Sequence, residues 1–173
     1  MGTSLFLNGV YMKVIKKQTN SKMCLICGVE NEAGLKAPFY EMEDNTVISL
    51  VTFKEIHQSY PNRVHGGMIS CLLDEIIGRA IWISEPNMWG VTMNLNVKFR
   101  KPVPYNEQLK AIGKITNIKS RTFEGEGKIL DNNGNVLATA EAVYFKLPID
   151  KITEDKNHDE INIYIEDNVK EIV

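Results

Sequence analysis

Two groups of residues in this chain have the types and spacing to do chemistry. Gly66-Gly67 opens an apolar run that reaches Ile83, and Asp74-Glu75 puts two carboxylates on the third turn of the helix this run predicts. The first N–H groups of a helix have no internal partner and sit at the positive end of its dipole. A start without side chains therefore lets a carbonyl oxygen approach bare amides, which can serve as an oxyanion hole. Asp74 lies eight residues past Gly66, roughly 12 Å along the axis, too far for one reacting carbonyl to meet both groups of the same helix. A site that uses both takes them from two chains, so the spacing predicts a homodimer.

The helix from Met68 to Ile83 is apolar on almost every side and is expected to be buried, with a sheet wrapped around it. Its few polar positions fall in two stripes, Ser70, Asp74 and Gly78 on one and Glu75 with Arg79 on the other. Asp74 has small neighbours that leave room above it, and a carboxylate held among apolar turns points to function. Glu75 has a counter-ion and reads as a solvated ion pair with Arg79.

Successive blocks of the chain resemble the hotdog-fold acyl-CoA thioesterases of the phenylacetate-pathway (PaaI) and 4-hydroxybenzoyl-CoA thioesterase type. They are His57-Gln58-Ser59-Tyr60-Pro61-Asn62-Arg63-Val64-His65-Gly66-Gly67, Leu72-Leu73-Asp74-Glu75, the run Val91 to Pro104, Arg121-Thr122-Phe123, and Asp131 to Ala142. The resemblance spans about residues 24 to 147 and rests on their order, since a lone His-Gly-Gly says little. It implies that the Gly66 amide polarises the thioester carbonyl and that Asp74 of the partner chain acts as nucleophile or as general base on water. Thr92 stands where relatives carry a Ser or Thr that orients that water. Where several relatives have Asn or Gln six residues before the His, this chain has Ser59, and Gln58 or Asn62 takes that place. His65, Gly67 and Ser70 are expected to line the substrate site, His65 with a structural hydrogen-bonding role as the alternative. For the nucleotide end of CoA the candidates are Arg100, Lys101, Lys119 and Arg121, because phosphates favour Arg and Lys near strand ends.

The fold implied is α+β, a hotdog: one long central helix wrapped by an antiparallel sheet of about five or six strands. Val47 to Phe53 is rich in β-branched residues, and Val91, Met93, Leu95, Val97 and Phe99 alternate with polar positions, which places the odd-numbered side chains on the core face. Gln108 to Ile118, Thr122 to Leu130 and Val136 to Leu147 continue the sheet, the last two joined by an Asp131-Asn132-Asn133-Gly134 turn. The 173 residues divide into an N-terminal lead-in (1–23), a thioesterase domain (24–148) and a charged tail (149–173). That tail either adds an edge strand at 161–165 or stays mobile.

A net charge of −2 with scattered Lys and Arg argues against nucleic acid. No apolar run has membrane-spanning length, and Met1 to Phe6 lacks a charged leader and a myristoylation pattern, so the expected location is cytoplasmic. Cys24-Leu25-Ile26-Cys27-Gly28 has zinc-knuckle spacing without a second pair, so no metal is expected and the segment reads as a turn packed by two small side chains. The expected activity is hydrolysis of an acyl-CoA thioester by a homodimer or a homotetramer built from it, with no cofactor beyond the coenzyme A of the substrate. Two alternatives are a non-catalytic acyl-CoA-binding module and an acyl-thioester dehydratase or hydratase on the same fold. The acyl pocket depends on the packing of Met68, Leu72, Trp82, Met88 and Trp89.

Overall fold

The computed structural model describes residues 11–154 and 158–173. The first ten residues of the lead-in, on which the expectation about a leader rests, lie outside the described residues. In chain order the elements are β1 (Met12–Lys17), β2 (Tyr40–Met42), β3 (Val47–Thr52), β4 (Gln58–Tyr60), β5 (Arg63–Val64), α1 (Gly66–Arg79), β6 (Met88–Phe99), β7 (Gln108–Ile118), β8 (Thr122–Leu130), β9 (Val136–Pro148) and β10 (Glu171–Ile172). Eight strands form one antiparallel sheet in the order β10-β1-β2-β3-β7-β8-β9-β6, and β4 with β5 makes a separate hairpin ahead of the helix.

The sheet is larger than the five or six strands expected, and both flanks contribute the excess. β1 comes from the lead-in and covers the short β2, while β10 comes from the charged tail and pairs with β1. The patch expected as an edge strand at 161–165 makes only an isolated bridge, Ile163 to Asn20. In both flanks the strand residues are interleaved with charges, so their alternation carries little hydrophobic signal.

α1 lies across the sheet and buries Ile69, Leu72, Leu73, Ile76 and Ile77, each contributing roughly 1.5–3 kcal/mol through removal from water. After Arg79 the run tightens into a 3₁₀ turn, Ala80–Ile83. The helix can sit this close because the facing strands are cut back. A Cβ at Gly113 of β7 would fall 2.5 Å from the Ile76 carbonyl oxygen, and β9 faces the helix with Ala138, Ala140 and Ala142. At the β8–β9 hairpin, Asp131 Oδ1 accepts the Asn133 and Asn135 N–H groups and Gly134 adopts φ +78°, the turn its sequence predicts.

β6 is the sheet's last strand, and its geometry departs from the simple alternation. The register against β9 slips between Thr92 and Asn94, so Thr92 lies opposite Tyr144 while Leu95 lies opposite Ala142. This bulge at Met93 reverses the phase of the pleat. Thr92 consequently shares the helix-facing side with Leu95, Val97 and Phe99 rather than standing on the opposite side from them. The expected apolar core face is also only partly covered, with Met93 61% and Phe99 56% exposed.

Candidate active site

The bulge brings a hydroxyl to the carboxylate. Thr92 Oγ1 lies 2.9 and 3.2 Å from the two oxygens of Asp74, and the Tyr144 hydroxyl lies 3.0 Å from Asp74 Oδ1 and 2.9 Å from its backbone carbonyl. Each hydroxyl has a single proton to give, so Asp74 is held by two donors from neighbouring strands, β6 and β9. Tyr144 is fixed in turn by stacking on Phe123, ring centroids 4.7 Å apart, and by its register opposite Thr92. Tyr144 was not among the sequence candidates. A small cavity of about 90 Å³ opens beside this group, lined by Asp74, Gly78, Trp82, Trp89, Gly90, Thr92 and Tyr144 among others.

Burial pushes the Asp74 carboxyl above its ordinary 3.8, opposed by the hydrogen bonds from Thr92 and Tyr144 and reinforced by the nearby Glu75 charge. Burial first, then the Asp74 charge, drives the Tyr144 phenol far upward, so it remains a neutral donor at any working pH. Removing that donor in Tyr144→Phe is expected to raise the Asp74 pKa further. Any activity that needs ionised Asp74 then shifts its acid midpoint to higher pH, with a loss of about tenfold or less at the plateau. An unchanged midpoint in the pH–rate profile of a folded Tyr144→Phe protein contradicts this role.

The other candidates are distributed differently. Gly66 begins α1, and its N–H has no partner among the described residues; a Cβ there would meet the Phe99 ring at 3.4 Å. The Gly67 N–H is already taken, donating to His65 Nδ1 at 2.8 Å, which makes His65 the helix cap and leaves one bare amide rather than two. Ser70 Oγ donates to the Gly66 carbonyl at 2.9 Å and belongs to the helix backbone network. Gln58 and Asn62 are exposed on the β4–β5 hairpin, Asn62 in the left-handed region with φ 61°, its N–H toward the Tyr105 hydroxyl. Among the described residues none of these side chains hydrogen-bonds to the Asp74 carboxylate within one chain.

The four basic candidates do not form one patch in a single chain. Arg100 and Lys101 follow β6 at the end where Phe99 pairs with Ala138. Lys119 and Arg121 lie in the β7–β8 turn, at the end where Thr122 and Val91 both face Phe145. Eight strand positions separate the ends, roughly 26 Å. Lys119 is also paired with Glu124 at 2.6 Å, and Lys101 reaches Asn135.

The Glu75–Arg79 pair is not the solvated pair expected. Arg79 is 4% exposed; its Nε meets Glu75 at 2.7 Å, one terminal nitrogen donates to the Thr19 carbonyl, and the guanidinium stacks on Phe39 and Trp82. The segment around residues 18–27 folds over the pair, which its i,i+4 spacing alone could not reveal.

A single long helix clasped by an antiparallel sheet of this order defines the hotdog class. Residues 62–138 match the family model described as the thioesterase superfamily. An uncharacterized protein of Schizosaccharomyces pombe is 29% identical over 125 residues, covering 69% of this chain and 71% of that protein. An acyl-coenzyme A thioesterase of Rattus norvegicus is 28% identical over 116 residues, covering 66% of this chain and 49% of the relative, so the chain spans about half its length. Among solved structures, a thioesterase superfamily protein superposes with TM-score 0.66 at 27% identity over 71% of this chain and 63% of the other. A Streptococcus mutans protein bound to acetyl CoA gives 0.55 at 21% over 60% and 82%. The fold is that of the hotdog class, and residues 62–138, somewhat under half of the chain, are similar to the thioesterase superfamily. No helix among the described residues is long and apolar enough to cross a membrane.

Proposed function

We propose that this chain hydrolyses acyl-CoA thioesters to a free acid and CoA, in a site shared by two subunits. The observation that carries the reading is the position of two groups along one edge strand. Thr92 and Asp74 stand near the start of β6, while Phe99 and the bare Gly66 amide stand at its end. A long edge strand with exposed Met93 and Phe99 is a surface for strand pairing. Antiparallel pairing of two β6 strands about a two-fold axis near Asn96 sets Thr92 of one chain across from Phe99 of the other. The same operation carries one chain's Asp74 toward the other's Gly66, and brings Lys119 and Arg121 to the end where Arg100 and Lys101 of the partner subunit lie.

In this arrangement the Gly66 amide stabilises the oxyanion that develops on the thioester carbonyl. Asp74 acts across the interface, as general base on a water that Thr92 orients or as the nucleophile, and the CoA thiolate leaves. Coenzyme A enters as part of the substrate, its phosphates toward the four basic residues; the chain works in the cytoplasm and uses no metal. A homotetramer would pair two such dimers. The small cavity beside Asp74, about 90 Å³, has room for a few waters but not for a long acyl chain, in keeping with a substrate site completed by a second subunit. The likeness to the rat acyl-coenzyme A thioesterase and to the Streptococcus mutans protein bound to acetyl CoA supports the substrate class. A dehydratase would need a His against the carboxylate, whereas His65 Nδ1 is engaged as the α1 cap.

Thiol release measured over a panel of aryl- and fatty acyl-CoA esters tests the proposal, and turnover of none of them while acyl-CoA binds would favour a binding module. For an accepted ester the rate is expected to fall on acidification, because protonation removes the base. Its midpoint should lie above that of an ordinary aspartate, in the direction burial moves Asp74. A rate that stays flat through the acid range while the fold persists takes Asp74 out of the rate-determining chemistry.

A further inference from the structure

The Cys24-Leu25-Ile26-Cys27 segment is the turn expected, with Cys27 in the core and Cys24 packed against it, but its sulfurs do more than fill space. Its sulfurs sit in a polar, charged nest. Cys24 Sγ accepts the Ile26 and Cys27 N–H groups at 3.3 and 3.4 Å, as a cap does at the start of a helical turn, and the Gly28 N–H closes that turn on the Cys24 carbonyl at 2.8 Å. Gly28 is needed here, since a Cβ would fall 2.3 Å from the Cys24 oxygen. Cys27 Sγ takes a hydrogen bond from an Arg79 terminal nitrogen at 3.0 Å and lies 3.5 Å from the Ser21 hydroxyl. The two sulfurs and a Glu75 carboxylate oxygen all lie within 4.8 Å of one another.

Three ligand atoms this close suggest a cation site, but the cation is already present as Arg79. Its guanidinium meets Glu75 at 2.7 Å and Cys27 at 3.0 Å, so a divalent ion among the same atoms would stand against a buried positive charge. What the arrangement favours is a thiolate beside a second thiol. Residues three apart in a helical turn hold their Cα atoms about 5–6 Å apart, a span a disulfide bridges without backbone movement.

We propose that Cys24 and Cys27 form a redox-active dithiol that exchanges with low-mass disulfides, coupled through Arg79 to the helix that carries Asp74. Cys24, the less buried of the two, hands its proton to the adjacent Cys27 thiolate and attacks one sulfur of the incoming disulfide RSSR. One RS⁻ leaves and takes that proton back from Cys27, giving a mixed disulfide on Cys24. The Cys27 thiolate then attacks Cys24 Sγ, the S–S bond to R breaks, and the second RS⁻ departs. Two protein thiol groups are oxidised to one disulfide, and RSSR is reduced to two thiols. In the reduced chain the Cys24 hydrogen bond, then the Arg79 charge, pull the Cys27 thiol down to about 6; once Cys24 is in the mixed disulfide, the Arg79 charge and the Ser21 hydroxyl remain to favour the thiolate for the second step. Cys71 on α1 is pushed the other way, by burial and the Asp74 and Glu75 charges. Oxidation removes one of two anions facing Arg79, whose guanidinium stacks 4.8 Å from the Trp82 ring, and Trp82 lines the cavity beside Asp74.

The test equilibrates the full chain in oxidised and reduced glutathione at graded ratios, traps free thiols with iodoacetamide and maps the products by mass. The expected oxidised species carries a Cys24–Cys27 disulfide with Cys71 still alkylated. Cys27→Ser should stop at the glutathione adduct on Cys24, and Cys24→Ser should form no internal disulfide. In the wild type the closing step should slow as the pH is lowered and the Cys27 thiolate that faces Arg79 takes up a proton, a readout that needs no variant to fold. Tryptophan emission should change on oxidation of the wild type and not on the same treatment of Cys24→Ser. A folded wild-type chain that never forms the Cys24–Cys27 disulfide, or that carries one equivalent of a divalent metal on these thiols after purification, overturns the proposal; oxidation without an emission change overturns the coupling to α1.

Discussion

Asp74→Asn is expected to lower kcat for an accepted acyl-CoA ester by about a hundredfold or more, with KM little changed. The amide has nearly the shape of the carboxylate and still accepts hydrogen bonds from Thr92 and Tyr144, so the site keeps its form. What it loses is the charge and basicity, and a positioned general base typically contributes 10²–10⁴-fold. The neighbouring carboxylate makes the contrast. Glu75 faces Arg79, and Glu75→Ala leaves a guanidinium that is 4% exposed with one anion fewer. The expected cost is roughly 2–3 kcal/mol of stability, below the full penalty for a stranded buried charge because the Cys27 sulfur and the Thr19 carbonyl remain. The two variants should therefore separate cleanly: steady-state kinetics reads the first and a denaturant midpoint the second. A Glu75→Ala protein that folds well but turns over no substrate, beside an active Asp74→Asn, would transfer the chemistry to Glu75.

The site's parts differ in how far the sequence discloses them. Asp74 stands out because its stripe, Ser70 to Gly78, is made of small and polar residues on an otherwise apolar helix, and that contrast is local. β7 and β8 are legible to the residue because Lys119-Ser120-Arg121 and Asp131 to Gly134 bound two alternating runs with turn chemistry. Thr92 is different. Strict alternation sets it on the face away from Leu95, Val97 and Phe99, and only the bulge at Met93 turns it toward Asp74. A bulge is a property of the pairing with β9, so nothing in β6 alone announces it. Tyr144 escapes for the same reason at longer range, since it meets Asp74 across 70 residues of chain through strand register. The Glu75–Arg79 spacing is visible, but its burial is decided by Thr19, Cys27 and Phe39, which approach from the N-terminal side. Local pattern thus discloses element boundaries and the candidate carboxylate; long-range pairing decides which hydroxyls reach it and which charges are covered.

Subunits defective in different halves of a shared site should rescue one another. Asp74→Ala removes the carboxylate, and Gly66→Pro removes the bare N–H at a position where proline fits the first turn of a helix. The Gly66 nitrogen has no partner among the described residues, so the loss is of a donor toward substrate and not of a fold contact. Within one helix these groups are roughly 12 Å apart, and a reacting carbonyl needs its donor and its attacking group within about 3 Å. Each homodimer should be nearly inactive. In a mixed dimer paired through β6, one site combines both defects, while the other draws Gly66 from the Asp74→Ala chain and Asp74 from the Gly66→Pro chain, and is intact. Random exchange of equal amounts makes half of the dimers mixed, each with one working site of two, so about a quarter of the wild-type rate should return. Tagged subunits purified as mixed pairs should reach about half. If exchange is confirmed by the tags and no activity reappears, or if a monomer retains full turnover, the two groups do not serve one substrate across the β6 edge.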